Sequence, residues 1–351
     1  MLDSSLATRS LPRPLILAVL AVLLGLATAC NTLFGTHKKV QVPQLLTPLE
    51  NADKSQLIAE INRLVSVQSL HAKIDIQFED NSFAEAGIAE KYRQADGSIT
   101  LQRPGKIYLT IQVPFIAKDI AQMTSDGTSF RVAVLQGDEK YRRFVKGTNN
   151  AVYERLDLDG APQAEAKASK KEMSEKQTVN ALSNLRPQHL TDALLIDPPR
   201  NESGLFYSQS EFFMEEPDLR VQAKKGSRIV RGYYLLEEHS QNNPGEAKLR
   251  RRFWFDRVGG IRLARLQSFD DRGLLITDVS YSDEKPFGDD GRVKLPARVE
   301  ITRPKDQYKL NITYQAPSSV ELDKDYRPEA FVLENRWQLP EVDLDRRQTR
   351  R

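Results

Sequence analysis

The chain contains few residues whose types and spacing could perform catalysis. Its histidines are scattered over four separate segments: His37, His71, His189 and His239. None stands in a recognisable metal-binding motif, so each is expected to be a surface or capping residue. The sequence patterns of serine hydrolases, zinc peptidases, phosphate-binding loops and calcium loops do not occur. The sequence therefore predicts no catalytic residue, no metal site and no cofactor, as expected of a protein that is not an enzyme.

Adjacent carboxylates are the remaining candidates for acid–base chemistry. The pairs Glu237-Glu238, Asp270-Asp271 and Asp289-Asp290 fall in predicted turns or at strand ends, where solvated acidic residues are common. A hydrolase built on such a pair stays open as a third class of function, but no positive feature supports it. The net charge of +3 is spread along the chain rather than gathered into a stripe, which does not favour nucleic-acid binding.

Cys30 is the one cysteine of the chain, and its position suggests a chemical role. Arg9 and Arg13 precede an apolar run over residues 14–29, which is shorter than the roughly 20 residues of a membrane-spanning helix and is typical of a signal peptide. The end of that run, Leu26-Ala27-Thr28-Ala29-Cys30, resembles the lipobox of bacterial lipoproteins. An ordinary secretory signal with an incidental cysteine, or a short membrane anchor, are the alternatives.

The lipobox resemblance implies that residues 1–29 are removed and that Cys30 carries acyl chains. Stable anchoring requires more than one such chain, because each buried methylene contributes only about 0.8 kcal/mol. Asn31 is not the aspartate that retains many lipoproteins in the inner membrane. We therefore expect a lipid-anchored protein on the periplasmic face of the outer membrane, with the inner membrane left open.

Hydrophobic periodicity divides the remaining chain into segments. Residues 30–50 lack periodicity and are expected to be a flexible tether. A helix with a capping box begins at Asp53, after which apolar residues alternate through about ten to twelve predicted strands. A polar insertion at 159–177 and two short helices around Pro187 interrupt them, and a basic tail, 336–351, is expected to be disordered.

Several of these segments resemble the LolA/LolB family of bacterial lipoprotein carriers, nearer the membrane-anchored LolB type. The similarity extends over residues 51–335 and rests on Ser69-Leu70-His71-Ala72, on the run from Gly97 to Lys106, on Ser125-Asp126-Gly127 and on the run from Leu295 to Ile301. The resemblance implies a mainly β fold, a half-open antiparallel β-barrel with an N-terminal helix and short lid helices. It also implies an apolar interior that holds the acyl chains of lipoproteins.

The resemblance, combined with strand alternation, assigns candidate binding residues. The inward rows expected to contact acyl chains are Ile107, Leu109, Ile111, Val113, Phe253 and Phe255, and the leucines expected to form the lid are Leu182, Leu185, Leu190 and Leu194. By the same alternation Trp254 faces outward. Phe115 or Ile116 matches the exposed apolar residue of a membrane-delivery loop in the LolB type, although both could equally turn into the core.

These features predict an anchored periplasmic protein that binds acyl chains and takes part in lipoprotein or lipid transfer. Its expected partners are those acyl chains, the membrane that holds its anchor and a soluble periplasmic carrier, with no nucleic acid. A filled interior would instead indicate a structural or envelope-stress-sensing lipoprotein of the same fold. The sequence does not distinguish the two, because both require inward apolar rows.

Overall fold

The computed structural model describes residues 42–80, 90–91, 94–113, 118–137, 139–149, 151–153, 156, 182–243 and 245–348. Cys30, Phe115, Ile116 and the insertion at 159–177 lie outside these residues. The chain divides into two units, Met1–Gln44 and Leu45–Arg351, and the fold described below is that of the second.

The described residues form seventeen strands, of which thirteen have six residues or more, slightly above the expected ten to twelve. In chain order they are β1 (Gln44–Leu45), β2 (Ser69–Asp80), β3 (Glu90–Lys91), β4 (Ala95–Gln102), β5 (Lys106–Gln112), β6 (Asp119–Asp126), β7 (Ser129–Val134), β8 (Arg143–Thr148), β9 (Leu205–Pro217), β10 (Arg228–Asn243), β11 (Glu246–Asp256), β12 (Arg262–Phe269), β13 (Leu275–Phe287), β14 (Val293–Arg303), β15 (Tyr308–Tyr314), β16 (Glu321–Leu322) and β17 (Glu341–Asp343).

Three α-helices accompany the strands in the described part of the chain: α1 (Lys54–Val65), α2 (Pro187–Leu194) and α3 (Leu344–Gln348). The predicted capping box is present at α1, where the Asp53 carboxylate accepts from the Gln56 backbone N–H and the Gln56 side chain accepts from the Asp53 N–H, both at 2.9 Å. Pro187 occupies the first turn of α2, where a missing N–H costs nothing, and Leu182–Asn184 form a helical turn before it.

Strand β2 lies at the centre of the sheet. On one side it pairs with β15, which continues through β14, β13, β12, β11 and β10 to β9; on the other it pairs with β4, which continues through β5, β6 and β7 to β8. All of these pairings are antiparallel. Within the described residues no pairing joins β9 to β8, so the sheet is not closed. The predicted mainly β, half-open antiparallel barrel is confirmed.

The inner face of the curled sheet contains the main hydrophobic core. Strand β15 alternates buried and half-buried residues along its whole length, and Leu310 and Ile312 point inward with the buried Ile74 and Ile76 of β2. The buried side of α1, formed by Leu57, Ile61 and Leu64, packs into the same core. One continuous apolar cluster therefore joins both halves of the sheet to the first helix.

The two ends of the folded unit differ from the sequence prediction. Residues 336–348 are not a disordered tail: β17 pairs in parallel with β8, and Leu344 of α3 is buried. The last part of the predicted tether also contacts the sheet, since the backbone N–H of Glu50 donates to the Arg257 carbonyl at 2.8 Å. Isolated apolar residues such as Leu344 have too little periodicity to reveal such docking in the sequence.

Candidate functional site

The inward apolar rows chosen from the sequence lie in one buried cluster. Ile107, Leu109 and Ile111 of β5 are buried on one side of the barrel, and Phe253 and Phe255 of β11 are fully buried on the other. Val113 follows the end of β5 and is only half-buried. Strands that are distant in the sheet thus direct these side chains into a common interior.

The lid residues chosen from the sequence cover this interior. Leu182, Leu185 and Leu190 are buried in the same cluster, and Leu194 is half-buried against it. Because α2 has eight residues and presents one apolar side, most of its stability must come from packing on the sheet. We call residues 182–196 the lid.

Hydrogen bonds from two strands and a turn hold the end of the lid. Arg103, in the β4–β5 turn, donates to the carbonyls of Ile196 at 3.0 Å and Val67 at 3.0 Å. The Tyr281 hydroxyl on β13 donates to the Ala193 carbonyl at 2.9 Å. These donors satisfy carbonyls that the last turn of α2 leaves unpaired.

The start of the lid is held by buried aromatic and cationic side chains. The hydroxyl of Tyr308 and Nδ1 of His189 are 2.6 Å apart, and burial together with nearby Arg303 and Arg186 lowers the pKa of His189 well below its usual range. The Arg186 guanidinium lies over the rings of Phe130 and Tyr153. His189, expected at the surface, is therefore part of the lid contact and is neutral at pH 7.

A buried ionic cluster borders the interior at the end of the lid. Glu238 of β10 is fully buried, and its carboxylate accepts from Arg251 at 2.5 Å, from Tyr207 at 2.6 Å and from Arg200 at 3.0 Å. Arg251 also donates to the carbonyls of Asp197 and Pro198, at 3.0 and 3.1 Å. The sequence prediction that Glu238 is a solvated acidic residue is wrong, because the register of β9, β10 and β11 directs these side chains inward.

Burial and hydrogen bonding have opposite effects on the pKa of Glu238. Burial alone raises it, but the hydrogen bond and charge of Arg251, with the hydrogen bonds of Tyr207 and Arg200, outweigh burial and hold the pKa below its usual value. Burial, followed by the hydrogen bond to Glu238, raises the pKa of Tyr207 to about 12. The cluster is thus an ionised carboxylate surrounded by donors.

A small apolar cavity lies beneath the lid. Its volume is about 40 Å³. It is lined by Leu64, Val67, Leu70, Leu101, Ala193, Leu194, Leu195, Ile196, Tyr281, Leu295, Pro296, Val299 and Tyr314. Of the residues assigned from the sequence, only Leu194 lines it. Ligand pockets usually measure about 300–1,000 Å³, so the cavity in this closed form has room for a few atoms but not for an acyl chain.

Two searches of the described residues place limits on other functions. No group of three or more histidine, cysteine, aspartate or glutamate side chains there could hold a metal ion. None of the described helices is both long and apolar enough to cross a membrane. Cys30 and the residues proposed for the delivery loop, Phe115 and Ile116, are outside the described part of the chain.

Comparison with solved structures identifies bacterial proteins of related architecture. A protein of the DUF1329 family from Desulfovibrio piger is 11% identical, with a TM-score of 0.39, covering 79% of this chain and 95% of that one. A LolA superfamily protein from Nitrosomonas europaea is 12% identical, with a TM-score of 0.38, covering 80% and 99%. A putative outer membrane lipoprotein-sorting protein domain from Vibrio parahaemolyticus is 10% identical, with a TM-score of 0.37, covering 79% and 94%.

These similarities are too distant to establish a family for this chain. No protein-family model matches the sequence. No curated protein matches it either. The functional argument therefore depends on the geometry of the barrel interior and its lid.

Proposed function

We propose that this protein is an outer-membrane-anchored periplasmic lipoprotein that binds acyl chains between its sheet and its lid and takes part in lipoprotein or lipid transfer. The observation that carries the proposal is the apolar cavity under the lid, which is lined almost entirely by apolar side chains. Such a surface recognises ligands by contact area rather than by hydrogen bonding.

Binding requires the lid to move, because the closed cavity of about 40 Å³ cannot hold an acyl chain. The lid is suited to such a movement: it is short and is joined to the sheet by separable contacts, among them the donors Arg103 and Tyr281. An entering chain would replace the leucines of the lid against the inner rows. The apolar contacts that are lost on opening are then regained with the ligand.

The energetics of transfer need no cofactor. Exposing an acyl chain to water costs about 0.8 kcal/mol per methylene, so two or three chains do not diffuse freely. Exchange between two apolar pockets leaves the chains out of water at both ends, and its net free-energy change is small. A soluble periplasmic carrier is the partner that such exchange calls for.

Attachment and delivery belong to the same proposal. Acylated Cys30 would hold the barrel at the membrane through the segment that precedes Leu45. Phe115 or Ile116, between β5 and β6, would contact the membrane during delivery. The inner rows Ile107, Leu109, Ile111, Val113, Phe253 and Phe255 would contact the chains once the lid has opened.

Lipid analysis of the purified full-length protein tests acyl-chain binding. We expect mass spectrometry to detect co-purified acyl chains, and we expect a peptide with a fluorescent acyl chain at its N terminus to bind. Leu194→Glu places a charge at the cavity while the half-buried position keeps the fold, and should weaken binding at least tenfold. The matched variant Leu194→Met should bind like the wild type. Protein that is consistently empty and takes up no acylated peptide would refute the proposal.

The small cavity volume favours one alternative, a structural or envelope-stress-sensing lipoprotein with a filled interior. In that case the lid is part of a permanent core. The same binding experiment separates the two functions, since a sensor of this kind takes up no acyl chain in either the wild type or the Leu194→Met variant.

A further inference from the structure

The sheet contains a fork between β12 and β13. Their pairing runs from the hairpin end up to Arg265 opposite Ser280 and stops there. Beyond that point Arg262 and Leu263 pair with β11, whereas Tyr281–Phe287 pair with β14. Within the described residues, the two strands therefore separate into two branches, which leaves a gap in the barrel wall.

Helix α1 bridges the two branches from inside. Glu60 accepts from the backbone N–H of Leu263 on β12 at 3.4 Å, and Arg63 donates to Glu284 on β13 at 3.0 Å. Glu60 and Arg63 are themselves paired at 2.7 Å. The bridge consists of partly exposed ionic contacts, which contribute about 1 kcal/mol or less each and can separate at little cost.

A groove of about 510 Å³ opens into this fork from the outer surface. Besides the residues of α1 and the two branches, its lining includes apolar side chains of the neighbouring strands: Met214, Tyr233 and Trp254. At its rim stands Leu219, which is 90% exposed. The groove is much larger than the interior cavity and reaches the size of ordinary ligand sites.

Only one layer of side chains separates the outer groove from the interior cavity. Leu64, Tyr281 and Pro296 line both spaces. Tyr281 is buried, and its hydroxyl is the group that donates to the Ala193 carbonyl of the lid. The side chain that closes the fork is thus the same one that fastens the end of the lid.

We propose that the fork between β12 and β13 is a side entrance through which an acyl chain reaches the interior, with the attached polar group remaining in the outer groove. This inference rests on the proposed acyl-chain binding. Rotation of Tyr281 away from Leu64 and Pro296 opens the wall and releases its bond to the lid in one movement. Entry and lid opening are then a single coupled step.

The charge balance of the groove indicates which polar group it accepts. Arg63, Arg231, Arg262 and Arg265 face Glu60, Glu216, Asp256, Asp283 and Glu284. The arginines are paired with carboxylates; Arg231, for example, donates to both Glu216 and Asp256. A strongly anionic phosphate would compete with these carboxylates. A group without net charge, such as the amide of an N-acylated peptide, fits the groove better.

Blocking the groove tests the entrance. Ser282 is exposed on the β13 branch and lines the groove, so Ser282→Trp should fill it without touching the core. Ser210→Trp is the matched control, because Ser210 is an exposed strand residue outside the groove. The probe is an uncharged hexapeptide with an N-terminal pyrenyl-dodecanoyl chain, whose uptake by the full-length protein is followed by stopped-flow fluorescence.

We expect Ser282→Trp to slow uptake at least fivefold and Ser210→Trp to leave the rate unchanged. Tyr281→Phe keeps the wall but removes the bond to the lid, and should accelerate uptake about threefold. Equal rates in the wild type and Ser282→Trp, with binding intact, would overturn the side entrance while leaving acyl binding in place. No uptake by the wild type would instead refute acyl binding itself.

Discussion

Neighbouring residues of the same type can have opposite environments, as Glu237 and Glu238 show. Both are carboxylates on β10, but the side chain of Glu237 is 20% exposed and pairs with Arg252 on the outer face, whereas Glu238 is fully buried. Removing one member of a buried pair is far more costly than losing an exposed one, because the remaining charge stays desolvated. The two arginines next to Glu238 therefore depend on its carboxylate.

Glu238→Gln should destabilise the protein in a pH-dependent way. At pH 7 we expect the free energy of unfolding to fall by about 3 kcal/mol, because Arg251 loses its counter-charge. The pKa of Glu238 is lowered in the folded state, so its stabilisation is present above the unfolded value near 4.5 and is lost as the pH falls through the folded-state pKa. Urea unfolding at pH 7 and pH 2.5 measures the difference.

An exposed pair on the same hairpin provides the control for this variant. Glu215 and Arg228 form an ion pair with side chains about half exposed. Glu215→Gln should lower stability by less than about 1 kcal/mol at either pH. A similar loss for both variants, or a loss in Glu238→Gln that persists at pH 2.5, would contradict the view that the buried charge is responsible.

At the scale of elements, the short strand β17 and helix α3 protect an edge of the sheet. β17 covers β8 through three paired residues, and the backbone N–H of Phe144 donates to the Pro340 carbonyl at 2.9 Å. Leu344 anchors α3 in the main core. Exposed strand edges invite pairing between molecules, and a covering segment prevents it.

Deleting residues 340–351 should therefore cause self-association through β8. We expect the truncated protein to form dimers or larger species by size-exclusion chromatography with light scattering. Loss of the buried Leu344 should lower the free energy of unfolding by about 2–3 kcal/mol. A chain that ends at Gln348 keeps both elements and should behave like the wild type. A monomeric truncated protein would show that the β8 edge is protected by other means.

At the scale of the whole molecule, the continuous core predicts cooperative unfolding. The main apolar cluster includes residues of β4–β7 on one side of β2 and of β10–β15 on the other. The two tryptophans of the chain report on distant parts of the sheet, because Trp254 is on β11 and Trp337 packs against the cluster of Ala133, Phe144 and Leu333. A shared core should make both regions unfold together.

Single-tryptophan variants test this cooperativity. Trp254→Phe and Trp337→Phe each leave one fluorophore, and the urea midpoints reported by the two should agree within about 0.3 M. Circular dichroism of each variant corrects for any change in stability caused by the substitution. Clearly separate fluorescence midpoints would indicate that the sheet unfolds in two parts.

Local sequence patterns predicted most of the elements but not the contacts between them. The capping box at Asp53, the helix at Pro187 and the alternating rows of β5 and β11 depend on neighbouring residues, which a sequence displays directly. The burial of Glu238, the docking of Leu344 and the position of Tyr281 between lid and fork depend on strand pairing over long distances. Periodicity does not encode which strands meet, so these features required the structure.

The pairing of β2 with β15 has a consequence for biosynthesis. Ile76 lies opposite Ile312, so the centre of the sheet joins segments separated by more than two hundred residues. The N-terminal half cannot complete this seam until nearly the whole polypeptide has emerged from the ribosome. Until then β2 has an unsatisfied edge, and the nascent chain would rely on chaperones to escape premature aggregation.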